Sequence, residues 1–377
     1  MTREEYRKTA YDVVYLAACV INGDKPDAER VKSMDIQKLY TVSQKHTLTA
    51  IVCHALESVG INDHDFTQAK AKAIQKVVLL DTERNGIFQR FEQEGIWYMP
   101  LKGVILKEYY PYIGLRQMSD NDILFDPAYR EKVRDIMVER GFTVEQYGTG
   151  VHDIYHKLPS ANFEMHVALF GVVHADNLNN YYVDVEQRLL KDENGGYRRS
   201  FSNEDFYIYI IAHEYKHFSV GGTGMRSLLD TYVFLRRFDD TLDWEYIDKE
   251  LKKLEISAFE KQNRELAAKL FSNEKLNEEE AQLLDYHIFS GTYGNLENKV
   301  ENAIKRYGSR NSLSAKLKYS LRRIILPMKT VEAAFPFFYR HKYLMPVLWV
   351  YRPIRALIKK PKAVINELKI LFRKKGN

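Results

Sequence analysis

The sequence predicts an α+β fold in which a small mixed β-sheet lies between two helical regions. Apolar residues recur at helical spacing through residues 2–94, as in the stripe from Val13 to Val20, and helical patterning returns from Asn203. Between these regions, short apolar and aromatic runs alternate with turn residues, which is typical of strands. We therefore expect four parts: a helical region at 1–94, an α/β core at 95–200, a helical region at 201–335 and a basic aromatic tail at 336–377.

Caps, glycines and prolines predict where the individual elements begin and end. The first region ends in a long helix that runs from a cap at Asp65 to about Gln93, and Gly95 is its expected stop. In the core, we expect a short helix at 104–110 and a longer one, with proline at its start and glycine after its end, at 127–140. Strands are predicted at 96–101, 120–125, 142–147, 151–157 and 162–169.

The composition argues against several classes of protein. A chain that is 45% hydrophobic and 13% aromatic is not disordered. Its longest stretch without Asp, Glu, Lys or Arg is eleven residues, whereas a membrane-spanning helix needs about 20 apolar residues. The first residues do not resemble a secretory signal, and two cysteines, Cys19 and Cys53, are too few for a disulfide framework. We therefore expect a cytoplasmic protein, and the basic tail leaves a peripheral place at the membrane open.

The most informative pattern lies at the predicted strand 120–125. Asp120 and Asp122 are two residues apart and lead into the apolar run Ile123–Phe125, so their side chains point to the same side of the strand. Two like charges at a buried edge are unfavourable without a cation. Mg²⁺ takes hard oxygen ligands and keeps positions open for substrate phosphates. Alone, such a pair is also typical of a solvated turn.

Three neighbouring features favour an active site over a solvated turn. Lys102 and Gly103 lie at a strand-to-helix turn, where backbone amides favour phosphate and glycine permits close approach. Arg116 offers two donors for one phosphate. Glu164 lies on a later strand with its neighbours facing the other way, so it can complete a metal site or act as a general base.

These residues carry a resemblance to a known family. The run from Leu101 through Tyr110 and Arg116 to Leu124 resembles the nucleotidyltransferase fold of the DNA polymerase beta-like superfamily. More narrowly, it is similar to a bacterial family of uncharacterised nucleotidyltransferases, which usually has Lys-Gly where many other superfamily enzymes have Gly-Ser. The segments 163–166 and 212–230 extend the resemblance, which covers about residues 5–240.

The resemblance implies a function and a set of site residues. It implies Mg²⁺-dependent (or Mn²⁺-dependent) transfer of a nucleoside monophosphate from an NTP to an unidentified acceptor, with Asp120, Asp122 and Glu164 as catalytic residues and metal ligands. The residues it implies for nucleotide binding are Lys102, Gly103, Arg116, Ser119, Lys216 and Arg226. A competing class is a non-catalytic protein that keeps this fold and binds a nucleotide or a protein partner.

A second motif suggests different chemistry. His213-Glu214-Tyr215-Lys216-His217 matches the H-E-x-x-H pattern of zinc metalloproteases. Lys216 argues against zinc, because it places a cation between the two ligands, and no histidine follows at the extended spacing. Alternatively, His213, Lys216 and His217 share one face of the helix and line the nucleotide or acceptor site together with Arg226. Asp230 then orients Arg226 by an ion pair. A simple packing helix with a solvated polar face is the third reading.

The tail at 336–377 has a charge of its own. It holds eleven Lys/Arg and a single acidic residue, Glu367, although the whole chain has a net charge of only +5. Prolines at 346, 353 and 361 are expected to break it into short helices, and Ala363–Phe372 is expected to be amphipathic. A basic amphipathic helix can bind an anionic membrane surface. Aromatic side chains between cations can bind nucleic acid, and simple packing on the body is the remaining interpretation.

Overall fold

Five strands form the central sheet of the protein. The structure, a computed structural model, describes residues 1–171, 176–309 and 312–372. The strand order is β1–β2–β5–β4–β3, where β2 and β5 are parallel and the other neighbours are antiparallel. The strands are β1 Tyr98–Pro100, β2 Asn121–Phe125, β3 Thr143–Gln146, β4 His152–Lys157 and β5 Ala161–His166. Each overlaps one predicted strand, so the mixed sheet is confirmed.

Helices precede, cover and follow this sheet. Before and within it are α1 Arg3–Asn22, α2 Ala28–Lys32, α3 Ile36–Lys45, α4 Thr49–Ser58, α5 His64–Glu94, α6 Gly103–Leu106, α7 Arg130–Glu139 and α8 Asp176–Tyr181. After a two-stranded ribbon of β6 Leu190–Lys191 and β7 Arg199–Ser200 come α9 Asn203–Phe218, α10 Met225–Phe238, α11 Trp244–Lys253, α12 Ser257–Phe271, α13 Glu278–Ser290 and α14 Leu296–Lys305. The C-terminal helices are α15 Leu313–Ile324, α16 Met328–Ala334, α17 Pro336–Arg340, α18 Met345–Lys359 and α19 Pro361–Phe372.

The long helix α5 begins at a different cap from the one expected. The side chain of Asp63, and not that of Asp65, accepts a hydrogen bond from the backbone N–H of Phe66. Asp65 lies within the first turn, where a negative charge is favourable beside the helix dipole. The helix ends as predicted at Gly95, which has a left-handed φ of 71°.

The two faces of the sheet contact different helices. Ile123 and Phe125 of β2 belong to an apolar cluster with α5 and α7, and Phe163 and Met165 of β5 join the same cluster. Leu124 points the other way, into a cluster with α9 and α11. Because side chains alternate along a strand, the carboxylates between these apolar residues lie on the α9 side.

A separate core joins the helices before the sheet to helices that follow it. Buried residues of α1, α3 and α4 pack with those of α10, α12 and α13 in one apolar cluster. The helical regions before and after the sheet therefore share a core, which holds α10 close to the sheet. The four-part division remains a proposal about organisation.

The tail differs from the prediction at one proline. Pro353 lies inside α18, whereas Pro346 is in its first turn and Pro361 begins α19. Pro353 removes one backbone donor, but Met345 and Leu348 are buried in a cluster that anchors the first turns of α18. Residues 373–377 of the predicted tail lie outside the described residues. Within those described, no helix is both long and apolar enough to cross a membrane.

Candidate active site

The carboxylates predicted to act together converge on one face of the sheet. Asp122 pairs with Glu164 across the parallel strands β2 and β5, and His166 lies two residues further along β5. The Oδ1 atom of Asp122 accepts hydrogen bonds from Lys102 Nζ at 3.1 Å and from His166 Nε2 at 2.9 Å. Asp120 lies just before β2, where its Oδ1 accepts a hydrogen bond from Ser119 Oγ at 2.9 Å.

The electrostatics of this group fit a divalent cation. Burial and the neighbouring charges of Asp122 and Glu164 raise the pKa of Asp120. Burial also opposes ionisation of Asp122, but Lys102 and His166 outweigh it and hold the pKa of Asp122 well below its usual range. Three carboxylates therefore crowd one place, and cationic side chains already neutralise part of their charge. This donor set of hard oxygens suits Mg²⁺.

Two histidines extend the carboxylate group. Among the described residues, ligand atoms of His152, Glu164 and His166 lie within 4.8 Å of one another, and Asp120 and Asp122 line the same cavity without belonging to this close group. Burial opposes protonation of His166, but hydrogen bonds to Asp122 and Glu164 raise its pKa. The Nδ1 atoms of both histidines are buried and have no hydrogen-bond partner within the part of the chain that the structure describes. Burial lowers the pKa of His152, so its neutral imidazole offers a nitrogen donor beside the carboxylate oxygens.

The turn between β1 and α6 brings the backbone close to this group. Lys102 has φ 42°, a conformation that is strained for a residue with a side chain. A Cβ atom on Gly103 would lie 2.4 Å from Arg116 Nη1, so a larger residue would have to displace the Arg116 side chain. The turn thus places Lys102 Nζ within hydrogen-bond distance of Asp122 and Gly103 close to the Arg116 side chain.

Arg116 forms an ion pair inside the protein. Its Nε and Nη2 atoms donate to the two carboxylate oxygens of Asp230 at 2.8 and 2.9 Å, and the hydroxyl of Tyr110 donates to Asp230 at 2.7 Å. Both members of the ion pair are buried. Two donors expected for phosphate are therefore engaged inside the protein. Asp230 pairs with Arg116 and not, as expected, with Arg226.

The cations contributed by α9 and α10 face the site. Burial and the nearby Lys102 lower the pKa of Lys216, whose Nζ lies 5.8 Å from the ring centre of Phe170. Burial and the neighbouring Arg116 lower the pKa of Arg226, whose Nη1 donates to the backbone oxygen of Gln117 at 3.2 Å. Both side chains are partly buried, and a bound anion would stabilise positive charge in such a place.

The two histidines of the H-E-x-x-H motif lie side by side on α9. His213 Nε2 and His217 Nε2 lie 3.1 Å apart on α9, but neither belongs to a group of three or more metal-binding side chains among the described residues. Glu214 is buried, and Thr223 Oγ1 donates to it at 3.4 Å. The glutamate thus faces the α9–α10 turn. The zinc-protease alternative has no third ligand within residues 1–171, 176–309 and 312–372.

A cavity of about 480 Å³ connects all of these groups. Each predicted site residue lines it: Lys102, Gly103, Arg116, Ser119, Asp120, Asp122, Glu164, Lys216 and Arg226. The sequence analysis missed Tyr293 and Thr292, which also line it. They lie in a turn between Gly291 and Gly294, and a Cβ on Gly294 would come within 2.6 Å of the Gly221 oxygen. In the sequence, Gly291 and Gly294 indicate a turn at these residues. Gly221, against which Gly294 packs, is distant in sequence, so the pattern does not show that the turn reaches the cavity.

The model of a family described as uncharacterised nucleotidyltransferases matches residues 32–272. The chain belongs to this family. No curated protein and no solved structure gives a significant match. The family match supports general nucleotidyl transfer and includes the three carboxylates, Lys216 and Arg226, but it ends before Tyr293.

Proposed function

We propose that this nucleotidyltransferase moves a nucleoside monophosphate from an NTP to an acceptor hydroxyl in a reaction that depends on a divalent cation. The observation that carries the proposal is the convergence of Asp120, Asp122 and Glu164 on a cavity that also receives Lys216 and Arg226. Carboxylates on one side and partly buried cations on the other match a magnesium-bound triphosphate.

Each side chain of the site has a proposed role in the transfer. Asp120, Asp122 and Glu164 would hold the cation, which when bound supplies positive charge beside the phosphates. Lys216 and Arg226 bind and orient the triphosphate oxygens. Glu164 accepts the proton of the acceptor hydroxyl, and the hydroxyl oxygen bonds to the α-phosphorus of the NTP. The bond from that phosphorus to the β-phosphate oxygen breaks, and pyrophosphate leaves.

The histidines bear on which cation is used. Mg²⁺ prefers oxygen donors, whereas Mn²⁺ accepts both oxygen and imidazole ligands and generally binds mixed sites more tightly. His152 and His166 lie with Glu164 in one group of possible ligand atoms. This arrangement supports Mn²⁺ as an alternative to Mg²⁺.

The acceptor has its own route to the site. A second cavity of about 1010 Å³ runs along α5 and is lined in part by Lys72 and Lys76. It shares Gln117, Met118 and Ser119 with the cavity that holds the carboxylates. We propose that the acceptor lies along α5 and presents its hydroxyl beside Ser119.

Calorimetry with each of the four NTPs tests the proposal. Wild type is expected to bind at least one NTP in the presence of Mg²⁺, and Asp120→Asn/Asp122→Asn is expected to lose that binding. Exposed Asp135→Asn on α7 is the matched control and should bind like wild type. Binding that persists in the double variant, or no binding of any NTP, would contradict the assigned site. Metal-dependent binding without pyrophosphate release in the presence of any acceptor would favour the non-catalytic class.

A further inference from the structure

The C-terminal helices expose apolar side chains in stripes. On α18, six exposed side chains recur at helical spacing: Val347, Val350, Tyr351, Ile354, Leu357 and Ile358. At 100° per residue, they occupy an arc of roughly 120° on one side of the helix. Ile358 is 75% exposed. Scattered apolar residues are normal on a protein surface, but a continuous stripe indicates a binding surface.

Two neighbouring helices repeat this arrangement. On α15, the residues Leu313, Leu317 and Leu321 are exposed along one face, and on α19 the residues Ile365, Leu368 and Phe372 are exposed along one face. All three helices lie beyond the family match, which ends at residue 272.

The opposite faces of these helices pack within the protein. Tyr319 of α15 and Leu371 of α19 are buried in a cluster with α14. Arg323 donates two hydrogen bonds of 2.8 Å to Glu367, which ties α15 to α19. Leu348 of α18 is buried against Val331. The exposed stripes therefore lie on helices whose other faces pack within the protein.

The charge of the same segment is strongly positive. Residues 313–372 contain thirteen Lys/Arg and two acidic residues, and one of the two, Glu367, is engaged by Arg323. Helical spacing places Arg355 beside the stripe of α18, and Lys362 and Lys369 beside that of α19. Apolar stripes bordered by cations match the acyl boundary and headgroups of an anionic lipid layer.

The same charges argue against the other occupants. A second copy of the chain would bring two strongly positive surfaces together, which is unfavourable. Nucleic acid prefers aromatic side chains that stack on bases, whereas the α18 stripe is mainly aliphatic. We propose that residues 313–372 bind the surface of an anionic membrane, with the exposed stripes of α15, α18 and α19 inserted at the headgroup level. This would place the nucleotidyltransferase beside the lipid layer without crossing it.

Vesicle flotation of the full chain tests the proposal. Wild type is expected to float with vesicles that contain phosphatidylglycerol at low salt, and to stay unbound with pure phosphatidylcholine. Ile354→Glu/Ile358→Glu should weaken the binding by roughly tenfold or more, because it removes apolar insertion and adds negative charge. Both side chains are exposed, so the variant should keep the far-UV circular dichroism of wild type.

A matched control uses the same substitution elsewhere. Val138 and Val183 are exposed aliphatic residues outside the C-terminal helices, and Val138→Glu/Val183→Glu should float like wild type. Failure of wild type to bind anionic vesicles overturns the proposal. It is also overturned if light scattering shows a dimer that Ile354→Glu/Ile358→Glu dissociates, or if wild type binds single-stranded RNA and not vesicles. None of these results depends on nucleotide binding.

Discussion

Asp122 and His166 form a buried pair at the centre of the site, with 2.9 Å between Asp122 Oδ1 and His166 Nε2. The pair exists because β2 and β5 are parallel, with Asp122 opposite Glu164. His166 lies two residues further along β5, on the same face of the sheet. An imidazole thus lies among the carboxylates that we propose as metal ligands. This arrangement links the choice of metal to the histidines of β4 and β5.

His152 is the accessible place to test that link, because its side chain is only partly buried. His152→Ala is expected to lower the affinity for Mn²⁺ about tenfold and to change that for Mg²⁺ much less, since loss of one nitrogen donor or supporting group typically costs about 10–100-fold. Calorimetric titration with each metal measures the ratio of affinities. His156→Ala, on the same strand, is the control. An equal loss for both metals would contradict a role for imidazole in metal choice.

The buried ion pair of Arg116 and Asp230 predicts a large effect on stability. Asp230→Asn leaves the Arg116 charge buried without its counter-ion, so we expect the free energy of unfolding to fall by about 3–5 kcal/mol. Arg116→Met/Asp230→Asn removes both charges and keeps an acceptor for Tyr110. Urea unfolding should therefore show a smaller loss for the double variant than the sum of the two single losses. Additive losses would show that the pair does not act as a unit.

Local patterns indicate which way the carboxylates face. Alternation along a strand places Asp120 and Asp122 on one side, and the apolar neighbours of Glu164 show which way it faces. The same logic works for the end of α5 at Gly95. It fails at the start of α5, because Asp63 and Asp65 are both suitable caps and only the hydrogen bond to the N–H of Phe66 decides between them.

Long-range packing decided what the sequence left open. Arg116 and Asp230 are 114 residues apart, and no local pattern shows that they pair. Gly221 and Gly294 approach each other through the packing of two turns, which in turn places Tyr293 at the cavity. In the tail, α18 continues past Pro353 to Lys359, and buried Met345 and Leu348 anchor its first turns. These outcomes depend on tertiary contacts, which cannot be predicted from helical or strand periodicity.

Tyr293 is expected to stack on the base of the bound nucleotide. Its side chain is 70% exposed and lies at the edge of the cavity. Tyr293→Ala should weaken nucleotide binding by roughly fivefold or more, because stacking of a base on an aromatic ring contributes about 1–3 kcal/mol. Tyr293→Phe should bind like wild type, and so should Tyr112→Ala, which removes an exposed tyrosine elsewhere. Equal affinity of Tyr293→Ala and wild type in calorimetry would exclude stacking.

Glu214 makes the stability of the protein depend on pH. Burial raises its pKa from 4.5 to about 7, although hydrogen bonds from Ser227 and Thr223 oppose the shift. Between these two values the folded state keeps a proton that the unfolded state has lost. The contribution of Glu214 to the free energy of unfolding therefore falls as pH rises through this window, and the full penalty is present above about pH 7.

Glu214→Gln removes this titration and keeps a neutral side chain of the same shape. At about pH 8 we expect the variant to be more stable than wild type by up to about 3 kcal/mol, whereas below the unfolded pKa the two should be equally stable. Denaturant unfolding across this pH range measures the difference, and Glu193→Gln, an exposed site, is the control. If the difference between Glu214→Gln and wild type is the same at all pH values, Glu214 does not titrate in this range. A difference that grows with pH would show that burial of the motif's glutamate disfavours its charged form at neutral pH, and a carboxyl held neutral in this way is a poor base for a zinc protease.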